Sequence, residues 1–197
     1  MSVKLYDDAL LDKFKKWCEG IDLTILSPDE TAHLLQVKAQ QTDDSPIELP
    51  LICITRPAGY ELSDNPHKHP ITFDGYTLQA NSKKSIQLNA IPIKLSYQLH
   101  IMTRYREEAD DLARNFIFNL INYPRFSIYV PYNDVDYEQE AMIKVQSEIA
   151  DNSNIDLRLV TGQFTRLTIT FDIEGAYLWD ARIRPTLGIE CLDIEEI

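Results

Sequence analysis

The chain has 197 residues, 44% hydrophobic and 25% charged, an ordinary globular composition that predicts one domain with its own core. Its formal net charge of −12 argues against a protein that grips nucleic acid, because phosphate binding requires lysine and arginine to displace counterions. The six glycines form neither GxGxxG nor GxxxxGK[ST], which excludes a glycine-rich phosphate loop.

Cysteine usage and the N-terminus indicate a protein made in the cytoplasm. Cys18, Cys53 and Cys191 are far apart, are odd in number and form no CxxC pair, so we expect reduced thiols. The first residues lack the apolar segment of a signal peptide. No window reaches the roughly 18 apolar residues of a membrane span.

The N-terminal segment predicts two helices with a short strand between them. Asp7 or Asp8 is a candidate cap for a first amphipathic helix, which Gly20 ends. The short strand is expected in DLTILS. Ser27 and Glu30 form a capping box at the start of the second helix.

A buried strand and an extended arm are expected next. The run LPLICITR predicts a deeply buried strand that begins just after Pro50. Residues 56–85 are rich in Pro, Gly, Asn, Asp and Ser, and a loop of this length inside a domain usually has a function or is disordered. Asp74-Gly75 is a turn signal, so we interpret residues 56–85 as a hairpin arm that contacts a neighbouring chain. The alternative is a flexible excursion.

A strand and a helix follow in the centre of the chain. The segment IPIKLSYQLHIMTRY alternates apolar and polar residues, which predicts a strand with one buried face. Lys94, Gln98 and His100 then lie on its polar, solvent-facing side. The segment YREEADDLARNFIFNLINYP predicts a helix with acidic first turns, and its buried stripe includes Ile117 and Ile121.

The remaining segments complete an α+β pattern. RFSIYVPY and EAMIKVQ predict short strands, and QFTRLTITFDIEGAYLWD predicts a long strand with a bulge at Gly175. We therefore expect a single α+β domain over residues 1–197, built on a mostly antiparallel sheet. Amphipathic helices are expected to pack on one face of this sheet, leaving the other face polar.

Catalytic signals are weak. His67 and His69 stand two residues apart on an extended segment and can share a metal, but a site needs three or four ligands and no HExxH spacing occurs. GxSxG is also absent. We therefore expect no catalytic residues, no metal, no cofactor and no enzymatic activity. A small metal-dependent hydrolase using His67 and His69 is the alternative.

The segment IPIKLSYQLHIMTRYREEADDLARNFIFNLINYP resembles the central strand–helix unit of tail terminator proteins from tailed bacteriophages or prophages. These proteins are also called tail completion or tail sheath stabiliser proteins. LPLICITR and FTRLTITFDIEGAYLWD resemble the neighbouring strands of that family, so the resemblance covers roughly residues 47–55 and 90–180. The resemblance rests on the order of these elements and on the pattern of residues within them.

The resemblance implies a virion structural protein without catalytic residues. Six copies would form a ring that caps the tail tube, meets the head–tail connector and lets DNA pass through an acidic lumen without specific binding. Another phage neck or contractile-injection component is an alternative. The candidate subunit-interface residues are Arg56, Tyr60, His67, His69, Tyr76, Lys94, Gln98 and His100.

Overall fold

The secondary structure was determined from a computed structural model that describes residues 2–39, 48–57, 59–62, 69–76, 83–132, 135–153 and 165–179. The helices are α1 (Ser2–Trp17), α2 (Pro28–Ala39) and α3 (Arg106–Asn122). The strands are β1 (Thr24–Leu26), β2 (Leu51–Thr55), β3 (Glu61–Leu62), β4 (His69–Tyr76), β5 (Lys83–Thr103), β6 (Arg125–Tyr132), β7 (Val135–Asp151) and β8 (Thr165–Trp179).

One sheet joins the strands, and β5 lies at its centre. β5 pairs antiparallel with β2, β3 and β4 along its length, and also with β8. β1 and β2 are parallel, while the other pairs are antiparallel. The predicted α+β class with a mostly antiparallel sheet is therefore confirmed.

The sheet curls back on itself. β8 bridges β5 and β7, and β4 also bridges the same two strands. The strands β4, β5, β8 and β7 thus form a closed circuit of pairing. The strands β1 and β6 lie at the two ends of the described sheet, outside this circuit.

The main core lies between one sheet face and the helices α1 and α3. The apolar residues at alternate positions of β5 are buried there, as the sequence pattern predicted. The ring centroids of Phe14 and Phe116 are 5.5 Å apart in a T-shaped contact, so these two side chains join α1 to α3. Tyr97 stacks on Phe171 at 5.6 Å and joins β5 to β8 within the same core.

Helix α2 packs on the opposite face of the sheet. Leu51 and Cys53 form a second apolar cluster with Met102, and Leu34 of α2 packs against it. Ile52 and Ile54, which point the other way, belong to the main core. β2 is therefore buried on both faces, as its continuous apolar run predicted. The expectation that all helices share one face was wrong for α2.

Residues 56–85 do contain a hairpin, but its turn is not where the sequence suggested. Asp74 pairs with Ser85 and Gly75 with Lys84, so the Asp74-Gly75 pair lies inside β4. Residues 77–82, between β4 and β5, lie outside the described part of the chain. β4 also pairs with β7, so this hairpin continues the sheet.

Of the local features predicted from the sequence, the capping box and the bulge are present, whereas the cap of the first helix is not. The capping box is present, because the Ser27 amide donates to Glu30 Oε2 at 2.8 Å and the Glu30 amide donates to Ser27 Oγ at 3.3 Å. Gly175 has a φ of +78° beside a register shift between β5 and β8, which confirms the bulge. The cap predicted at Asp7 or Asp8 was wrong, since α1 begins at Ser2.

Candidate interaction surface

Helix α3 carries apolar side chains on two sides. Phe116 and Leu120 face the sheet and are buried, whereas Phe118 and Ile121 are 65% and 63% exposed. The outer side of α3 also carries charged residues, so Phe118 and Ile121 form an apolar patch on it and not a second apolar face. The described residues leave the outer side of α3 uncovered, so the prediction that Ile121 belongs to the buried stripe was wrong.

An apolar groove runs along this outer side, between α3 and β7. Met142 pairs with β6 on one edge of β7 and with β8 on the other, and the β6 pairing goes no further. Past Met142 the Ile143 amide donates to the Pro124 carbonyl at 2.8 Å, and beyond Ile143 that edge of β7 has no partner strand among the described residues. The groove has a volume of about 680 Å³. Its apolar lining, which we call the α3 groove, consists of Ala113, Ile117, Phe118, Ile121, Ile149 and Leu167.

The charges around the α3 groove are balanced. Arg106 lies 3.7 Å from Asp151, and Arg114 lies 3.2 Å from Asp111. The lining holds Arg106, Arg114, Asp110 and Asp151, two charges of each sign. Exposed ion pairs add little stability, but they set the local field. The groove is thus a neutral, apolar place on a chain whose net charge is −12.

A second exposed apolar feature lies at the other flank of the sheet. Tyr60 and Leu62 are both about half exposed, and Glu61 between them is exposed as well. Leu62 pairs with Ile93 and Glu61 with Lys94, on the edge of β5 that is opposite β8. We call Tyr60–Leu62 the β3 corner. It lies at the start of the predicted arm.

The predicted interface residues differ in their exposure. Tyr60, Lys94 and Gln98 are exposed. The Lys94 amine lies 3.7 Å from Asp172. His67 lies outside the described residues. His69 and Tyr76 lie in β4, and their side chains are outside the described part of the structure.

Arg56 is partly buried and is bound within its own chain. Its guanidinium binds Asp7 of α1, with Nε 3.2 Å from Oδ1 and an NH2 nitrogen 3.4 Å from Oδ2. The hydroxyl of Tyr97 donates to the same carboxylate at 2.7 Å. Burial raises the pKa of Asp7 above its usual value, although the bonds from Tyr97 and Arg56 oppose that shift. This network ties α1 to the end of β2.

His100 is buried, so the expectation of a solvent-facing histidine was wrong. Its side chain is 5% exposed, with Nε2 2.9 Å from Thr55 Oγ1 and Nδ1 3.0 Å from Thr168 Oγ1. Arg166 approaches Nδ1 at 3.4 Å. His100 shares its sheet face with Met102, close to the cluster that α2 covers. Polar neighbours on two strands, β2 and β8, therefore replace water around the imidazole.

The outer face of β5, β7 and β8 is polar, as predicted, and is cross-linked by its own side chains. Ser96 donates to Asp172 at 2.6 Å, and Gln146 donates to the same carboxylate at 3.4 Å. Lys144 pairs with Glu174 at 2.9 Å, and this hydrogen bond raises the pKa of Lys144. The polar groups here already have partners within the chain, which makes this face a weaker candidate for a contact than the α3 groove.

An acidic cleft of about 280 Å³ lies between the N-terminal halves of α1 and α2. Two of its carboxylates are already bound: Asp7 by Arg56, and Glu30 by the backbone of Ser27. Among the described residues, no group of three or more His, Cys, Asp or Glu side chains is placed to hold a metal ion.

The sequence contains an indication of the α3 groove that the helical spacing of apolar residues does not detect. In FIFNLI, apolar residues fill five of the six positions, more than one buried face can take.

The described helices include none long and apolar enough to cross a membrane. The chain matched no model in a scan of protein families, and a search of curated proteins found no match.

Proposed function

We propose that this chain is a structural subunit of a bacteriophage or prophage virion, the tail terminator. In this role six copies form a ring that caps the tail tube and joins it to the head–tail connector. The α3 groove carries the proposal, because an exposed apolar surface on an otherwise acidic protein is typical of a contact between proteins.

Two further observations support this role. The α+β architecture with a long central strand is the one that the resemblance of residues 47–55 and 90–180 implies. The net charge of −12 suits a ring through which DNA passes, since like charges keep the phosphates from binding to the wall. The protein would be made in the host cytoplasm and act in the tail or neck of the virion.

The decisive experiment is the mass and shape of the full chain in solution. Light scattering across a wide concentration range, with electron microscopy of the same samples, is expected to show a sixfold ring. A monomer at every concentration, both alone and with purified tail tubes, would refute the proposal. A closed oligomer of another order would favour a different neck or contractile-injection component.

A further inference from the structure

We infer that His100 is a pH-sensitive link in the fold: its neutral form joins β2 to β8 across β5, and its protonation opens the side of the sheet that α2 covers. The inference concerns the single chain, so it does not depend on the proposed assembly. We call the residues that make this link the His100 cluster; they are Thr55, His100, Asn152, Arg166 and Thr168.

The hydrogen bonds of the His100 cluster fit a neutral imidazole with its proton on Nε2. Thr55 Oγ1 lies 2.9 Å from Nε2 and donates its own proton to the Gln98 carbonyl at 3.5 Å, so this hydroxyl accepts from Nε2. Thr168 Oγ1 lies 3.0 Å from Nδ1 and accepts from the Asn152 amide at 2.9 Å, which leaves the Thr168 proton for Nδ1. The two contacts therefore assign the same tautomer.

Arg166 makes a charged imidazole unfavourable at this place. A guanidinium nitrogen of Arg166 lies 3.4 Å from Nδ1, and a guanidinium has donors but no acceptor. A proton on Nδ1 would set two donors and two positive charges against each other where the histidine is 5% exposed. The Thr168 hydroxyl would also lose its acceptor. Acid therefore favours a conformation in which the imidazole reaches water.

The other described titratable groups around the His100 cluster have contacts of their own or are exposed. The Cys53 thiol lies opposite His100 on β2, and burial raises its pKa to about 11. Asp151, which precedes Asn152, lies 3.7 Å from Arg106. Charged side chains farther along this face pair with one another: Lys94 with Asp172 and Lys144 with Glu174. The described acidic and histidine side chains of α2 are exposed: Asp29, Glu30 and His33.

Loss of the His100 contacts affects α2 because β2 lies beneath this helix. Cys53 forms an apolar cluster with Leu51 and Met102, and Leu34 of α2 packs against it. This cluster is much smaller than the main core on the other face of the sheet, so it opens more readily. Protonation of His100 therefore exposes Cys53 while the main core stays closed.

The reaction of Cys53 with dithiodipyridine, a thiol reagent that works in acid, measures this opening. Cys18 is buried in the main core and is the internal control. Peptide mapping of Cys191→Ser protein gives both rates at each pH, and each rate is divided by that of the urea-unfolded chain at the same pH.

The expected change follows from one proton that the open form binds and the closed form does not. An exposed histidine titrates near about pH 6.5, and below that value each pH unit favours the open form about tenfold. We therefore expect the relative Cys53 rate to rise about tenfold or more from pH 7 to pH 5, with no rise for Cys18. His100→Gln should abolish the rise. His33→Gln, which removes an exposed histidine of α2, is the matched control and should behave as the parent protein.

Two results of the labelling overturn the inference: an equal rise in His100→Gln, or a Cys18 rate that rises together with that of Cys53. If His100→Gln does not fold, nitrogen-15 NMR of histidine-labelled parent protein decides. We expect His100 to show the Nε2–H tautomer and to stay neutral at a pH where His33 is charged. A charged His100 in protein whose Cys53 is still protected overturns the inference. Each of these results is independent of whether the chain forms a ring.

Discussion

Replacing Asp7 tests the buried network that joins α1 to the end of β2. The Asp7 side chain is buried and accepts hydrogen bonds from Arg56 and from the Tyr97 hydroxyl. Asp7→Ala removes the acceptor for both donors. Asp8→Ala is the matched control, because Asp8 is the next residue of the same helix and is exposed.

The expected cost follows from the contacts that are lost. A hydrogen bond to a charged group contributes about 1.5–3 kcal/mol, and breaking a buried ion pair from one side costs about 3–5 kcal/mol. The Arg56 side chain is 18% exposed and can regain some water, which lowers the cost. We therefore expect Asp7→Ala to reduce the free energy of unfolding by about 2–4 kcal/mol, against less than about 0.5 kcal/mol for Asp8→Ala.

The same residue makes stability depend on pH with a defined sign. Because burial raises the folded-state pKa of Asp7 above 3.8, the folded protein binds this proton more tightly than the unfolded chain does. The stabilisation from Asp7 is then complete below 3.8 and declines as the pH rises through the folded-state pKa. Relative to Asp7→Asn, the wild-type protein should lose stability over that interval.

Urea unfolding followed by circular dichroism and tryptophan fluorescence measures both effects. Data for wild type, Asp7→Ala, Asp7→Asn and Asp8→Ala from pH 3 to pH 7 are sufficient. An Asp7→Ala protein as stable as Asp8→Ala would refute the role of the network. A wild-type protein that gains stability relative to Asp7→Asn as the pH rises would refute the assigned direction of the pKa shift.

Three further predictions concern the core, the bulge and the thiols. Phe116→Ala, in the core, should cost about 3–5 kcal/mol in urea unfolding, whereas exposed Phe118→Ala in the isolated chain should change stability by less than about 0.5 kcal/mol. Gly175→Ala should cost about 1–2 kcal/mol because its φ is +78°, and unchanged stability would contradict this. Burial raises the pKa of Cys18 and Cys53 to about 11, so iodoacetamide at pH 8 should label both only after unfolding, as mass spectrometry can show.

Periodic segments were predictable because the burial of a single face determines the pattern of each one. The alternation in β5 and the three–four spacing at Leu112 and Phe116 in α3 reflect a single buried face. The capping box at Ser27 and Glu30 is equally local, since both partners lie within three residues. These features, and the α+β class that follows from them, appear in the structure as the sequence indicated.

The sequence could not supply facts that depend on distant partners. His100 has the position of a surface residue in β5, and only Thr55 and Thr168 from neighbouring strands make it a buried one. The sequence around Asp74 predicts a turn, but pairing with β5 and β7 holds this residue in a strand. The three–four spacing in α3 predicts one buried stripe, and it says nothing about Phe118, which lies outside that stripe and is exposed.

The role of β5 as partner to four other strands also affects how the chain can fold. Its residue Leu99 pairs with Ile169, about seventy positions later, so the central strand is incomplete until β8 has been synthesised. Contacts of such long sequence separation slow folding, and transiently unpaired strands are prone to associate. During synthesis the apolar face of β5 therefore depends on α1 and α3, which are available earlier, for its first cover. Substitutions that weaken those two helices should lower the yield of soluble protein more than their cost in equilibrium stability implies.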